Sequence, residues 1–357
     1  MSKKLQATLT TSLTLVEQLQ GVISSPIGDA TSVELSGKDA LPLLSASATT
    51  LKSQATKLSL VAINAPFTPS AVATVLSAVN ESVLPSLVTA ALLVTPADHT
   101  KAFQTEVRVL VQTTLKETAA LLQEVQDIAK KDEAQKKEGD LSQSEKDAVT
   151  IAAGRLWESC DVLIDIAAKG VVGFVIQRVE EWRDLVRDAV QEIEEWDPDE
   201  EGDEFFDELL SDDGKAEDDS EEDEDEDTAA LHAQKKSTLR VLKPVAQIYP
   251  AIVANRLKKT SNASASVSKL ESLMKELQQI PGHVDEIAGT LYEANLEGSV
   301  QYLRKTKDSA VKAVNLVTLP LDVTGSADTQ QDKEDKFTAW ARTWLKVMEE
   351  VSKPVSD

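Results

Sequence analysis

The stretch Phe174–Ile193, FVIQRVEEWRDLVRDAVQEI, decides the fold class. Phe174, Val175, Val179, Trp182, Leu185, Val186, Ala189 and Ile193 recur at three- and four-residue spacing, with charged residues filling most of the positions between them. Apolar residues on a 3.6-residue period lie on one face of a helix, which must bury that face against a neighbour. Pro198 ends the pattern.

The same period continues on both sides. Upstream, Leu5, Leu9, Leu13, Val16, Leu19 and Ile23 form one stripe, and Leu44, Leu51 and Leu58 mark a helix over about 40–63. Thr68-Pro69 and Thr95-Pro96 each set a capping hydroxyl before a proline suited to a first helical turn, which predicts helices over about 69–93 and 96–131. The second holds Val107, Val111, Thr114, Thr118, Leu121, Val125 and Ile128 as its seam. Ser142 and Glu145 form a capping box for a helix through Ala168, after which Gly170 and Gly173 mark a turn or close packing.

Downstream, Leu239, Leu242, Val245, Ile248, Tyr249, Ile252 and Leu257 resume the pattern, and the polar run Thr260–Ser266 reads as a hinge. Leu270, Leu273, Met274, Leu277 and Ile280 form a further stripe, which Pro281-Gly282 is expected to stop. Helices over about 283–296, 299–318 and 335–352 follow. No segment alternates with period two as a half-buried strand does. The expectation is an all-α protein of two antiparallel helix bundles, 1–196 and 229–357, separated by an acidic disordered insert at 197–228.

That insert dominates the charge. The chain has 357 residues and a formal net charge of −24. Between Glu192 and Asp227 it carries 23 Asp and Glu against the single cation Lys215, leaving 36 basic and 38 acidic residues elsewhere. Self-repulsion and a lack of apolar residues predict a solvated linker there. A polyanion of this kind attracts basic partner surfaces and repels nucleic acid and anionic membranes, so no direct nucleic-acid contact is expected. The one cysteine, Cys160, excludes an intrachain disulfide framework and suits a reducing compartment. Met1–Gln6 is followed by Thr and Ser rather than an apolar run, so no secretory signal is expected, and the longest apolar stretch, Leu84–Val94, is short for a bilayer span, so no membrane insertion is expected.

Motifs for catalysis are weak, and no cofactor is expected. His99, His232 and His283 are far apart with no metal-ligand spacing, and Cys160 beside Trp157 and Leu163 reads as a small core residue. Asp197, Asp199, Glu201, Gly202 and Glu208 fit positions one, three, five, six and twelve of a calcium loop. Glu at position five and Glu204 at position eight break the pattern, which leaves loose divalent association and no assigned metal site. Ser220, followed by Glu221-Glu222-Asp223, and more weakly Ser211 are phosphorylation candidates for acid-directed kinases. Phe205, Phe206, Leu209 and Leu210 stand out inside the acidic run as partner-binding candidates. Phe337, Trp340 and Trp344 lie one turn apart and read as core or as the anchor of a bundle end.

The segment Gly154–Asp161, GRLWESCD, resembles the cyclin-D-binding protein family, also called the GCIP family, whose members carry a similar Trp-Glu-x-Cys-Asp signature. The likeness continues at Leu185–Ile193, LVRDAVQEI, at the acidic run and at the helix resuming near Leu239. By this resemblance Trp157, Cys160, Asp161 and Asp188 are structural signature residues, and the bundles look like those of talin and I/LWEQ modules. The resemblance implies a non-enzymatic regulator of cell cycle and transcription, binding D-type cyclins or helix–loop–helix factors, in cytoplasm and nucleus. No helix is expected to present a Lys/Arg cluster for a DNA groove. Two other readings stay open: a talin-like cytoskeletal or adhesion adaptor, and an acidic histone-binding chaperone.

Overall fold

The computed structural model describes residues 3–25, 39–134, 141–199, 221–263, 265–321 and 335–353. Their regular structure is helical, and no strand occurs among the described residues. Two compact units divide the chain, Met1–Phe174 and Val175–Asp357.

In the first unit, α1 (Lys3–Ser24), α2 (Ala40–Ile63), α3 (Pro69–Ala78), α4 (Leu84–Leu93) and α5 (Lys101–Ala134) are followed by the start of α6 (Gln143–Glu195). A π-helical segment, Val79–Val83, joins α3 to α4 without a break. Helices α1 and α2 each pack against α3, α4 and α5. Leu5, Leu9, Leu44, Leu51, Leu76, Leu87, Val107 and Leu121 are buried at their shared core. A leucine buried in this way contributes about 1.5–3 kcal/mol. Thr114 and Thr118 are buried too, and their hydroxyls donate to the carbonyls of Leu110 (2.9 Å) and Thr114 (2.8 Å). The α5 seam is therefore used inside the bundle despite its two hydroxyls.

Two expected helix starts turn out differently. Thr68 precedes α3 as predicted, yet its hydroxyl donates back to the Pro66 carbonyl instead of capping. Helix α5 begins at Lys101 and not at Pro96, because Thr100 is the residue whose hydroxyl accepts the Phe103 N–H (3.1 Å). The capping box before α6 forms as read: Ser142 N–H donates to Glu145 Oε2 (2.8 Å) and Glu145 N–H to Ser142 Oγ (3.4 Å).

The continuous helical stretch Pro69–Leu93 is long and apolar enough to cross a membrane by length and composition. Its faces are packed against α1, α2 and α5, with Val72, Leu76, Leu84 and Leu87 buried, which is how a core helix of a bundle behaves.

Helix α6 carries the boundary between the units. Gly170 has φ 64° and ψ −168°, a conformation open essentially to glycine alone, and it kinks the element. The sequence reading places the boundary in the acidic run, after residue 196; the units divide instead at Phe174, within the helical element. The reason is the stripe Val175, Val179, Val186 and Ile193, all buried, which belongs to the second core.

The second unit adds α7 (Glu221–Ala246), α8 (Ile248–Asn255), a 3-10 turn Leu257–Lys259, α9 (Val267–Tyr292), α10 (Leu296–Leu316) and α11 (Lys336–Ser352). Helix α7 starts eight residues before the expected unit boundary at 229, taking in the last seven acidic residues, Glu221–Asp227. Acidic residues suit the first turns of a helix. Helices α9 and α10 pack along each other, and α11 packs on α7, α8 and α10.

Pro281-Gly282 does not stop its helix: α9 runs through both. Pro281 lacks the N–H that would reach the Leu277 carbonyl. The buried Tyr249 hydroxyl donates to that carbonyl instead (3.2 Å), so the tertiary fold repairs the gap. At Pro244 the opposite happens and α7 ends two residues later; the Pro244 carbonyl accepts Trp344 Nε1–H at 2.9 Å. Phe337 and Trp344 are buried and Trp340 is half-buried between them, its ring tilted against Phe337 at 5.3 Å and stacked on Trp344 at 6.1 Å, forming the anchor that their spacing suggests.

Candidate functional site

Three of the four signature residues of α6, Trp157, Cys160 and Asp161, lie in the first unit. Cys160 is fully buried, and its thiol is pushed up to about 12 by burial, with the Asp161 charge adding to the shift. A thiol held protonated in this way is no nucleophile. The native protein is expected to leave Cys160 unmodified by a thiol-specific disulfide reagent at pH 8 and to react fully in urea; fast native labelling would contradict the packing. Asp161 is exposed and bonds Lys52 of α2 at 2.6 Å, while Arg155 pairs with Glu117 of α5 at 3.1 Å. Glu145 meets Lys131, and hydrogen bonds from Lys131 and then Ser142 bring its carboxyl down to about 2. Trp157 is half-buried with its Nε1 unpaired. Asp188, in the second unit, is exposed and paired with Arg187 at 3.3 Å. These side chains therefore hold helices together or lie on the surface, and none converges on a cleft.

His99 is buried beside Phe103, its ring stacked at a centroid distance of 5.5 Å. Burial lowers its pKa, against the opposing pull of Asp98. A folded-state pKa below the unfolded value of about 6.5 makes stability fall as pH drops through that value. Urea midpoints measured at pH 7.5 and 5.5 are expected to fall for the wild type and to fall less for His99→Gln. His283 is half-buried, and its pKa is lowered by burial and by Lys305.

His232 is the histidine that meets other functional side chains. Its Nε2 lies 2.9 Å from Asp199 Oδ1, and Asp197 completes a group whose ligand atoms lie within 4.8 Å of one another. All three are exposed. Two carboxylates and an imidazole are a donor set for a borderline divalent ion such as zinc more than for calcium. Glu201, Gly202 and Glu208 of the calcium pattern lie outside the described residues, as do Ser211, Ser220, Phe205, Phe206, Leu209 and Leu210.

His232 also opens a row of basic residues along α7. His232, Lys235, Lys236, Leu239, Arg240 and Lys243 line an open groove of about 620 Å³ along α7. Helix α7 presents four cations on the face carrying Leu239, and no acidic residue lies between Thr228 and Ala246. The spacing 232, 235, 236, 239, 240, 243 is the signal that could have revealed it. Attention to the neighbouring acidic run hides it.

Part of this face already holds acidic chain. The end of α6 and the residues after it run along it in the opposite sense. Glu194 Oε1 meets Lys243 at 2.6 Å, the carbonyls of Glu194 (3.0 Å) and Trp196 accept from Lys235, and Asp199 meets His232. Lys235 thereby supplies a cation to the carbonyl end of a helix, where the dipole favours it. Trp196 packs edge-on against Tyr292 at 5.0 Å, and Tyr292 donates its hydroxyl hydrogen to Glu192 (3.0 Å).

The described residues thus form buried helical seams, surface ion pairs and a basic face on α7. Residues 43–199 match the family model described as Grap2 and cyclin-D-interacting, N-terminal. No curated protein matches the chain.

Proposed function

We propose that the protein is a non-enzymatic regulator of cell-cycle progression and transcription that acts by binding D-type cyclins or helix–loop–helix factors, in cytoplasm and nucleus. The observation that carries this reading is the match of residues 43–199 to a family described as cyclin-D-interacting. The matched residues run from α2 through α6, a set of helices tied by Lys52–Asp161 and Arg155–Glu117, which gives a partner a rigid surface. The acidic run supplies a second level of control: phosphorylation at Ser220 or Ser211 adds about −1.5 to −2 charges each, and Phe205, Phe206, Leu209 and Leu210 provide apolar contacts for a partner.

Affinity purification with mass spectrometry, comparing the intact chain with a version lacking residues 197–227, tests both levels. A D-type cyclin or helix–loop–helix factor is expected with both baits at moderate salt, and further partners with the intact bait alone. Absence of both partner classes from the intact bait would sink the reading; identical partner sets would reduce the acidic run to a spacer.

A further inference from the structure

We propose that the α7 groove is a docking site for a short acidic peptide of a partner protein, one carrying carboxylates on either side of an apolar residue. The inference rests on the reading of this chain as an interaction protein, and it places a second surface outside residues 43–199.

The groove has an occupied and an open part. On one side Lys235, Lys243 and His232 are engaged by the chain's own Glu194, Trp196 and Asp199. That contact shows what the helix accepts: an extended or helix-terminal stretch, acidic in sequence, laid antiparallel to α7. On the other side Lys236 and Arg240 sit four residues apart, one helical turn, both exposed. Among the described residues neither has an ion-pair or hydrogen-bond partner. Leu239, half-buried, is the apolar residue among those that line the groove. In a chain with a net charge of −24, two adjacent unpaired cations beside an apolar strip form a local field of opposite sign.

The ligand follows from that chemistry. Two carboxylates about one helical turn apart meet Lys236 and Arg240, Arg240 offering the planar fork suited to a bidentate carboxylate. An apolar side chain between them covers Leu239. A nucleic acid fits less well, because Glu194, Asp197 and Asp199 edge the groove and a phosphate backbone would run its repeated charge past them.

The test uses the full-length protein and a fluorescein-labelled synthetic twelve-residue peptide in which Glu and Asp pairs flank Leu and Phe, read by anisotropy. Wild-type protein is expected to bind it, more weakly as salt rises. The double variant K236E/R240E, whose sites are exposed, is expected to weaken binding by about tenfold or more. The surface control K312E/K346E should leave binding unchanged. Circular dichroism and D-type cyclin capture, both expected to match wild type in K236E/R240E, separate this proposal from the cyclin reading: loss of cyclin capture by the wild type would overturn that reading and leave the groove result standing. The proposal is overturned if the peptide fails to bind, or if K236E/R240E binds like wild type. It is also overturned if binding appears only when residues 200–220 are deleted, which would make the chain's own acidic segment the occupant. A single-stranded oligonucleotide that displaces the peptide at lower concentration would overturn it in favour of nucleic acid.

Discussion

Replacing Arg256 with alanine is expected to destabilise the second unit by about 1.5–3 kcal/mol, the range for hydrogen bonds made by a charged group. Arg256 is only 5 % exposed. Its guanidinium donates to the carbonyls of Val317 (2.6 Å) and Thr318 (2.7 Å), pairs with Asp335 at 2.9 Å and lies 4.5 Å from the Phe337 ring centroid. One side chain thus ties the end of α8 to the end of α10 and to the cap of α11, where Asp335 accepts the Thr338 N–H at 2.8 Å. Alanine takes the guanidinium donor from the Val317 carbonyl, leaves the Thr318 carbonyl only the Thr338 hydroxyl (3.1 Å), and removes the cation facing Asp335.

Lysine keeps the charge but cannot reach three acceptors with a planar fork, so Arg256→Lys should recover only part of the loss. Urea unfolding followed by tryptophan fluorescence measures both, since Trp340 and Trp344 lie on α11. A loss below about 1 kcal/mol for Arg256→Ala would show that the site is solvated in solution. The pair also sets a pH dependence. Burial alone would raise the Asp335 carboxyl, but hydrogen bonds from Arg256 and Thr338 outweigh it and bring it to about 2. A folded pKa below the unfolded value of about 3.9 gives stability that is present above that value and is lost as pH falls toward 2. Arg256→Ala should flatten this acid limb.

The second large effect is expected at Tyr249. Tyr249→Phe keeps the packing and removes the hydroxyl that donates to the Leu277 carbonyl in place of the missing Pro281 N–H, at a cost of about 1–3 kcal/mol for a buried acceptor left short. The cause lies four residues on, so the effect depends on Pro281. In a Pro281→Ala background the restored N–H supplies Leu277 from within the helix. The Tyr249→Phe penalty should there fall to the about 0.5–1.5 kcal/mol of an ordinary hydrogen bond. A double-mutant cycle measures the difference directly. Equal penalties in both backgrounds would refute the account of how α9 passes through its proline.

These residues show where a reading of the chain stops. Tyr249 is legible as an apolar-stripe position and Pro281 as a helix stop, each from local rules alone. The local rule for proline assumes that the freed carbonyl finds no donor, and only a hydroxyl from another helix changes that. Arg256 sits in the same helical pattern as any surface arginine, and nothing local says that it is buried. The α5 start fails for a similar reason: Thr95-Pro96 and Thr100 are both competent openings, and the packing of His99, Phe103 and Gln104 selects the second.

The sequence by itself determined the helical class, the position of most helices, the capping box at Ser142 and Glu145, and the family likeness at GRLWESCD, because each rests on residues within about two turns of one another. Periodicity and capping are local, so they survive without coordinates. The tertiary structure decided what depends on residues distant in the chain. It placed the unit boundary at Phe174 and not in the acidic run, since the buried stripe of Val175, Val179, Val186 and Ile193 belongs to the second core. It also turned Lys235, Lys236, Leu239, Arg240 and Lys243 from a scatter of basic residues into one face of a groove, half of it held by Glu194 and Asp199. Charge summed along a chain is blind to such a face, because electrostatic contact is set by distance in space and the groove lies just past the most acidic stretch of the sequence.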